Sequence, residues 1–191
     1  MPLMSLLKQN PVIAAVKDTE SLQTALKSDC LFISVLYGNI CTISTIVQQI
    51  KKANKYAFIH VDLLEGTSNK EIVINFLKLV TQADGIISTK ASMVKAARAQ
   101  GFFTIHRLFL VDSISYYNID KQVAQSNPDC IEILPGCMPK VLGWVAEKIP
   151  LPIIAGGLVC DEEDANAALS AGAQAISTTN QSVWELAKKL I

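Results

Sequence analysis

The sequence predicts an α/β protein, a single closed (β/α)8 barrel of the TIM type with short helices. Three observations predict it. Short apolar runs rich in β-branched residues alternate with helical stretches from one end of the chain to the other. Most of these runs lack polar alternation, as parallel strands buried on both faces require. There are about eight such units, and right-handed crossovers between that many parallel strands favour closure over an open sheet. Barrels of this kind typically take about 250 residues. The 191 residues here therefore demand short helices. No linker or low-complexity tract interrupts the chain, so residues 1–191 read as one domain, with 1–10 as a lead-in.

The strands are expected in order. They are "VIAAV" from Val12, "LFISVL" from Leu31, "AFIHVDL" from Ala57, "GIIST" from Gly85, "FFTIHRL" from Phe102, "CIEIL" from Cys130, "PIIAG" from Pro152 and "AQAIST" from Ala173. Helical segments between them include "CTISTIVQQIKKAN", "KEIVINFLKLVTQA", "SMVKAARAQG", "PKVLGWVAEKI" and "DEEDANAALSAG".

Composition narrows the function. Half the residues are hydrophobic, 18% are charged, and 17 basic residues balance 17 acidic ones. That excludes a disordered chain and a nucleic-acid binder working by overall charge; a local basic patch stays open. Five cysteines, at 30, 41, 130, 137 and 160, form no C-x-x-C and no even framework, and the several in apolar runs, as in "SDCLFISVL" and "PDCIEIL", read as small core residues. With two histidines, a metal site has few ligands to draw on, and none is expected. "MPLMSLLKQNP" is no secretory signal, and no apolar run is long enough to span a bilayer. A cytoplasmic protein without a membrane partner is the expectation.

Sites in such barrels sit at the C-terminal ends of the strands. The seventh strand ends at Gly156 and Gly157, where the absence of side chains lets backbone N–H groups approach an anion. The eighth ends in "STTNQSVWEL", where Thr178 and Gln181 have capping-box spacing and Thr179 or Asn180 could equally be the cap. A helix start there would turn its positive end toward the same anion. The acids of "DEED", 161–164, would repel a phosphate on the preceding helix, whereas the last helix has no acid before Glu185. Gly156, Gly157, Thr178, Thr179 and Asn180 are thus the phosphate-binding candidates. The competing reading is a tight turn, or close helix packing, at the glycine pair.

Other strand ends carry charges. Lys17, Lys90 and Arg107 are candidate cations, with a solvated lysine and an ordinary ion pair as the alternatives for the latter two. His60 and Asp62, two apart on a strand, are expected to share a face. Glu132 is an acid in an apolar strand. These carboxylates can accept from the hydroxyls of a polyol, or belong to an interior network and to a salt bridge of Glu132 with Lys90 or Arg107. Asp112 reads as a cap or turn residue. Together these groups describe a site for a small phosphorylated polyol.

"HVDLLEG", "GIISTK", "TIHRLFLVDS", "IEILPGCMPKV", "PIIAGGLV" and "AGAQAISTTNQSVW" are spread over almost the whole chain. In that order they resemble the glycerol uptake operon antiterminator regulatory proteins. The resemblance implies a TIM-barrel sensor of glycerol 3-phosphate that acts on the leader mRNA of glycerol-utilisation operons. The effector is a ligand, and no cofactor is implied. Gly156 and Gly157 fall on the family's phosphate-end glycines, and Lys17, His60, Asp62, Lys90, Arg107 and Glu132 on its strand-end polar positions. The chain departs from the family pattern in having lysine at 17 and 90 where arginine is common, and His106 where glutamine is common. Val159 and Cys160 stand where a basic residue can follow the glycines. No RNA-binding motif is visible; the best basic cluster, Lys51, Lys52 and Lys55, reads first as cations at a helix C-terminus, and the RNA face stays unassigned. A homodimer is a further expectation, because it is the commonest oligomer. The alternative function is a barrel enzyme acting on a sugar or polyol phosphate, with Lys90 as Schiff base and Glu132 or Asp62 as general base.

Overall fold

Parallel pairing runs without interruption from the first strand to the eighth and back to the first, which closes the barrel. The strands are β1 (Val12–Val16), β2 (Phe32–Val35), β3 (Tyr56–His60), β4 (Gly85–Ser88), β5 (Phe103–Phe109), β6 (Cys130–Leu134), β7 (Ile153–Gly156) and β8 (Ala175–Thr178). The computed structural model describes residues 3–68 and 70–190.

The expected helices are α3 (Ile43–Lys52), α4 (Ile72–Val80), α5 (Ala91–Ala99), α8 (Pro139–Lys148) and α9 (Glu162–Ser170). The last helix, expected from the capping signals of "STTNQ", is the one-turn α10 (Gln181–Trp184), whereas the periodicity did not single out α1 (Leu3–Gln9), α2 (Thr19–Lys27), α6 (Ser113–Tyr117) or α7 (Ile119–Ser126). Among the described residues the longest helices, α3 and α8, have ten residues, which is how a barrel closes within this length. Several helices start on strong local signals. Asp18 and Asp112 each accept from the backbone N–H three residues on, completing capping boxes with Ser21 and Ser115. Asp161 caps α9, whose first turn is acidic, as the dipole favours.

Strand register sorts each residue inward or outward. Ile13, Phe32, Phe58, Ile87, Ile105, Cys130, Ile154 and Ala175 pack together inside the lower barrel. Leu7 of α1 packs among them, so the lead-in plugs the end opposite the strand C-termini. Gly85 belongs to this floor: a Cβ there would lie 2.7 Å from the Phe58 ring, so its absence makes room for the aromatic. Outward residues such as Val12, Ile33 and Ile59 meet the helices in a separate cluster. The cysteines divide: Cys30 and Cys130, in their apolar runs, are buried as expected, Cys137 is half-buried, and Cys41 and Cys160 are exposed. Burial pushes the Cys30 thiol up to about 11, and Cys130 is raised too, so both stay protonated.

Candidate ligand site at the barrel mouth

Above that floor the inward positions turn polar and small. Pairing places Ser34, Glu132 and Ser177 on the even strands, and Ala15, His60, Arg107 and Gly156 on the odd ones. The bulky polar members come from β3, β5 and β6, and the small ones from β1, β2, β7 and β8. A cavity of about 420 Å³ opens on the small side. Ala15, Arg107, Glu132, Gly157, Ser177 and Thr179 are among its lining. A larger hollow of about 540 Å³, edged by Tyr116, Met138 and Trp144, lies over α6 and α8, away from this polar layer.

Arg107 and Glu132 face each other across β5 and β6. Nε donates to Oε2 at 2.7 Å and Nη2 to Oε1 at 3.2 Å, with both side chains buried. The acid that the sequence left between Lys90 and Arg107 belongs to Arg107. The two charges cancel within the wall of the cavity.

The double glycine now has two separate explanations. A Cβ on Gly156 would lie 2.5 Å from Glu132 Oε1, so the first glycine makes room for the buried carboxylate. Gly157 adopts φ +70°, followed by Leu158 at +55°, so the second begins the turn out of the strand. The Gly136 N–H, from the loop after β6, donates to the carbonyls of Gly156 and Gly157 at 2.7 and 2.9 Å. Both glycines are therefore required by packing and turn geometry, whatever binds beside them.

The β8 end differs from the expectation in how its side chains are used. Asn180 is the cap, accepting from the Ser182 N–H. Thr178 Oγ1 donates to the Val159 carbonyl at 2.8 Å, and Asn180 Nδ2 to the Cys160 carbonyl at 2.5 Å. These bonds tie the β8 loop to the β7 loop and frame the cavity. Trp184 locks the same turn by donating from Nε1 to the Thr178 carbonyl at 2.8 Å. With four residues, α10 has little of the dipole that a longer helix would aim at an anion.

His60 ends β3, and Asp62 lies beyond it in a 3-10 turn (Val61–Leu63), so the two do not share a strand face as expected. Asp62 braces β4 instead: it accepts from Ser88 Oγ at 2.8 Å, the Thr89 N–H at 2.7 Å and Thr89 Oγ1 at 2.9 Å. Burial works to raise its carboxyl, but these bonds outweigh burial and hold it below the ordinary value. His60 is 3% exposed, and burial, with Arg107 nearby, lowers its imidazole to about 4. Its Nδ1 and the Oγ of fully buried Ser34 have no hydrogen-bond partner among the described residues. Two unsatisfied polar atoms, both on inward positions, are costly unless something binds there. Ser34 was missed because one serine inside "LFISVL" carries little signal; its inward parity with Phe32 is what distinguishes it.

Lys17 follows β1 at the exposed rim, and Lys90 occupies the N-cap position of α5, outside the cavity lining. His106 faces outward, with Nδ1 2.8 Å from Ser126 Oγ on α7. The basic cluster is largely structural. Lys51 pairs with Asp84 at 2.6 Å, and buried Lys55 donates to the carbonyls of Ser28 and Cys30, both at 2.6 Å.

Residues 12–184 match the family model described as glycerol-3-phosphate responsive antiterminator. The chain belongs to this family. Among solved antiterminator structures, it superposes on the glycerol uptake operon antiterminator regulatory protein of Listeria monocytogenes with a TM-score of 0.88 and 31% identity, covering 91% of this chain and 94% of that one. A glycerol uptake operon antiterminator-related protein of Thermotoga maritima gives 0.82 and 31%, covering 92% and 98%. The uncharacterized protein YgcP of Escherichia coli (strain K12) is 79% identical over the whole of both chains. Beyond the antiterminator family, an aldolase at 13% identity and a TM-score of 0.71 shares the fold alone. No described helix is long and apolar enough to cross a membrane.

Proposed function

We propose that this chain senses glycerol 3-phosphate and, when loaded, acts on the leader mRNA of glycerol-utilisation operons to prevent termination. The observation that carries the ligand half is the mouth cavity. One side is walled by the loops after β7 and β8, where a phosphate has a recurrent place in these barrels. Outside the cavity's own lining, the same inward polar layer carries the unsatisfied His60 Nδ1 and Ser34 Oγ, suited to hydroxyl groups. Family membership supports the RNA half.

In this reading the phosphate lies against the backbone of Gly157 and of 177–180, with Lys17 at the rim. Thr178 and Asn180 shape this pocket from behind rather than through their side-chain donors. Among the described residues Arg107 is the one buried cation on its wall, and a dianion competes with Glu132 for it. Neutral His60 takes a hydroxyl. Asp62, Lys90 and Gly156 support the site without entering it. The chain works as a regulator, in the cytosol where the transcript is made, and needs no cofactor or metal. No comparable observation favours an enzyme: Lys90 lies outside the cavity lining, and the Glu132 carboxylate is engaged by Arg107.

Calorimetry with glycerol 3-phosphate and with glycerol tests the ligand. Binding of the phosphate ester and not of glycerol is expected. A gel shift with a glycerol-operon leader transcript then tests the switch. Equal RNA affinity with and without the ester would reject it.

A further inference from the structure

Helix α4 is apolar on both sides. Val73, Ile74 and Leu77 face the barrel and are buried. Ile72, Phe76, Leu79 and Val80 follow the i, i+4, i+7, i+8 spacing of a second face; Ile72, Leu79 and Val80 are exposed on it, and Phe76 borders it while packing against the core. Leu79 is 85% exposed and Ile72 62%, while Phe76 is half-buried. The stripe continues onto Ile40, 42% exposed, which shares a shallow hollow with Ile72 and Phe76. A helix apolar all round is normally covered on both sides.

The charges beside the stripe say what covers it. Glu71 immediately precedes α4 and has helical backbone angles, and Lys78 lies two turns further on the same flank. Both are exposed, and among the described residues neither takes part in an ion pair. Lys78 lies over the Phe102 ring, 4.8 Å from its centroid. Exposed Asn75 sits between them on that flank.

We propose that the outer face of α4 is a self-association surface, paired antiparallel with the α4 of a second copy of this chain about a two-fold axis. A two-fold across the helices keeps each flank on its own side while reversing direction. Glu71 of each copy then meets Lys78 of the other, twice over, beside a strip of Ile72, Phe76 and Leu79. Asn75 lies near the axis, where its amide can both donate to and accept from its twin. A parallel pairing, about a two-fold along the helices, would send the two charged flanks to opposite sides of the seam and leave Glu71 and Lys78 without each other. An isologous contact of this kind also closes at two copies, leaving no open edge for further growth. This inference does not depend on what the mouth binds.

Sedimentation of the full-length chain tests it. The unmodified chain is expected to be a dimer. Leu79→Glu, at an exposed position, should raise the dissociation constant more than about tenfold, because it buries an unpaired charge, while leaving the circular-dichroism spectrum of the folded chain unchanged. Glu71→Lys and Lys78→Glu should each weaken the dimer, and the double exchange Glu71→Lys with Lys78→Glu should restore it. A monomer at the highest soluble concentration would overturn the proposal. So would a dimer untouched by Leu79→Glu, or a double exchange no tighter than either single one. A dimer that survives Leu79→Glu must use another face, such as the exposed Val111, Ile114 and Tyr117.

Discussion

Arg107 and Glu132 sit directly opposite one another on β5 and β6, joined by two hydrogen bonds inside the barrel. Removing one partner of such a pair leaves a buried charge and costs about 3–5 kcal/mol. Glu132→Gln keeps the shape and removes the countercharge. Its melting temperature should fall by roughly 10 °C, at about 2–4 °C per kcal/mol for a chain this size. Glycerol 3-phosphate should then raise the melt further than it does in the unmodified protein, because the dianion takes over the role of Glu132. Scanning fluorimetry with and without the ester checks both. An undiminished melt would mean that the pair does not hold the mouth together.

His60 makes stability depend on pH in a definite direction. Its imidazole is lowered to about 4 in the fold, from an ordinary value of 6.5. Between these values the unfolded chain binds a proton that the folded chain refuses, so stability falls as pH drops from 6.5 toward 4. The loss should reach about 3 kcal/mol once pH is below 4. Asp62 acts lower still: its folded pKa is depressed, so its contribution is kept above its ordinary 3.8 and lost as pH falls through the folded value. Urea unfolding at pH 7 and pH 4.5 should show the His60 loss, and His60→Gln should flatten it. An equal slope in the variant would assign the effect to another group.

The glycines of the mouth and of the surface should respond oppositely to a methyl group. At Gly156 a Cβ would press on the Glu132 carboxylate, with Cγ and Cδ both 3.0 Å away. Gly156→Ala should therefore unseat the ion pair and cost at least about 1–3 kcal/mol. Gly143 lies within α8, and a Cβ there meets nothing within 4 Å. Gly143→Ala should gain roughly 0.5–1 kcal/mol from helix propensity and a less flexible unfolded chain. Chemical denaturation of the two variants side by side gives the comparison.

How far these features can be read without coordinates depends on the kind of signal they leave. The eight strands are legible because a parallel strand covered on both faces must be a continuous apolar run, as "CIEIL" and "PIIAG" are. Arg107 and Glu132 stand out because a charge in such a run needs a partner. Ala15 and Ser177 open the cavity by being small, and small residues in apolar strands leave no mark. Asp62 was misplaced because "HVDLL" has no breaker, and the chain leaves the strand at His60 for a turn that only Ser88 and Thr89 explain. The Lys55 ammonium looks like surface charge but secures the carbonyls of Ser28 and Cys30. The outer face of α4 was invisible for a different reason: apolar periodicity reports which residues are greasy, not which side meets the barrel.

Gly157 separates backbone strain from ligand repulsion. Its φ of +70° is unfavourable for a residue with a side chain, and a Cβ would lie 3.2 Å from Leu134. Gly157→Ala and Gly157→Asp therefore share a folding cost of about 1–2 kcal/mol, with Asp the more tolerant of this conformation. If the phosphate lies against this turn, Asp adds a repulsion that Ala does not. Glycerol 3-phosphate should then bind the alanine variant with modest loss and the aspartate variant at least about a hundredfold more weakly, since like charges brought together in a confined cavity cost several kcal/mol. Calorimetry on both variants, after denaturation curves have shown them folded, reads the difference. Equal affinity in the two would move the phosphate off Gly157 and toward Lys17 at the rim, with Arg107 left to Glu132.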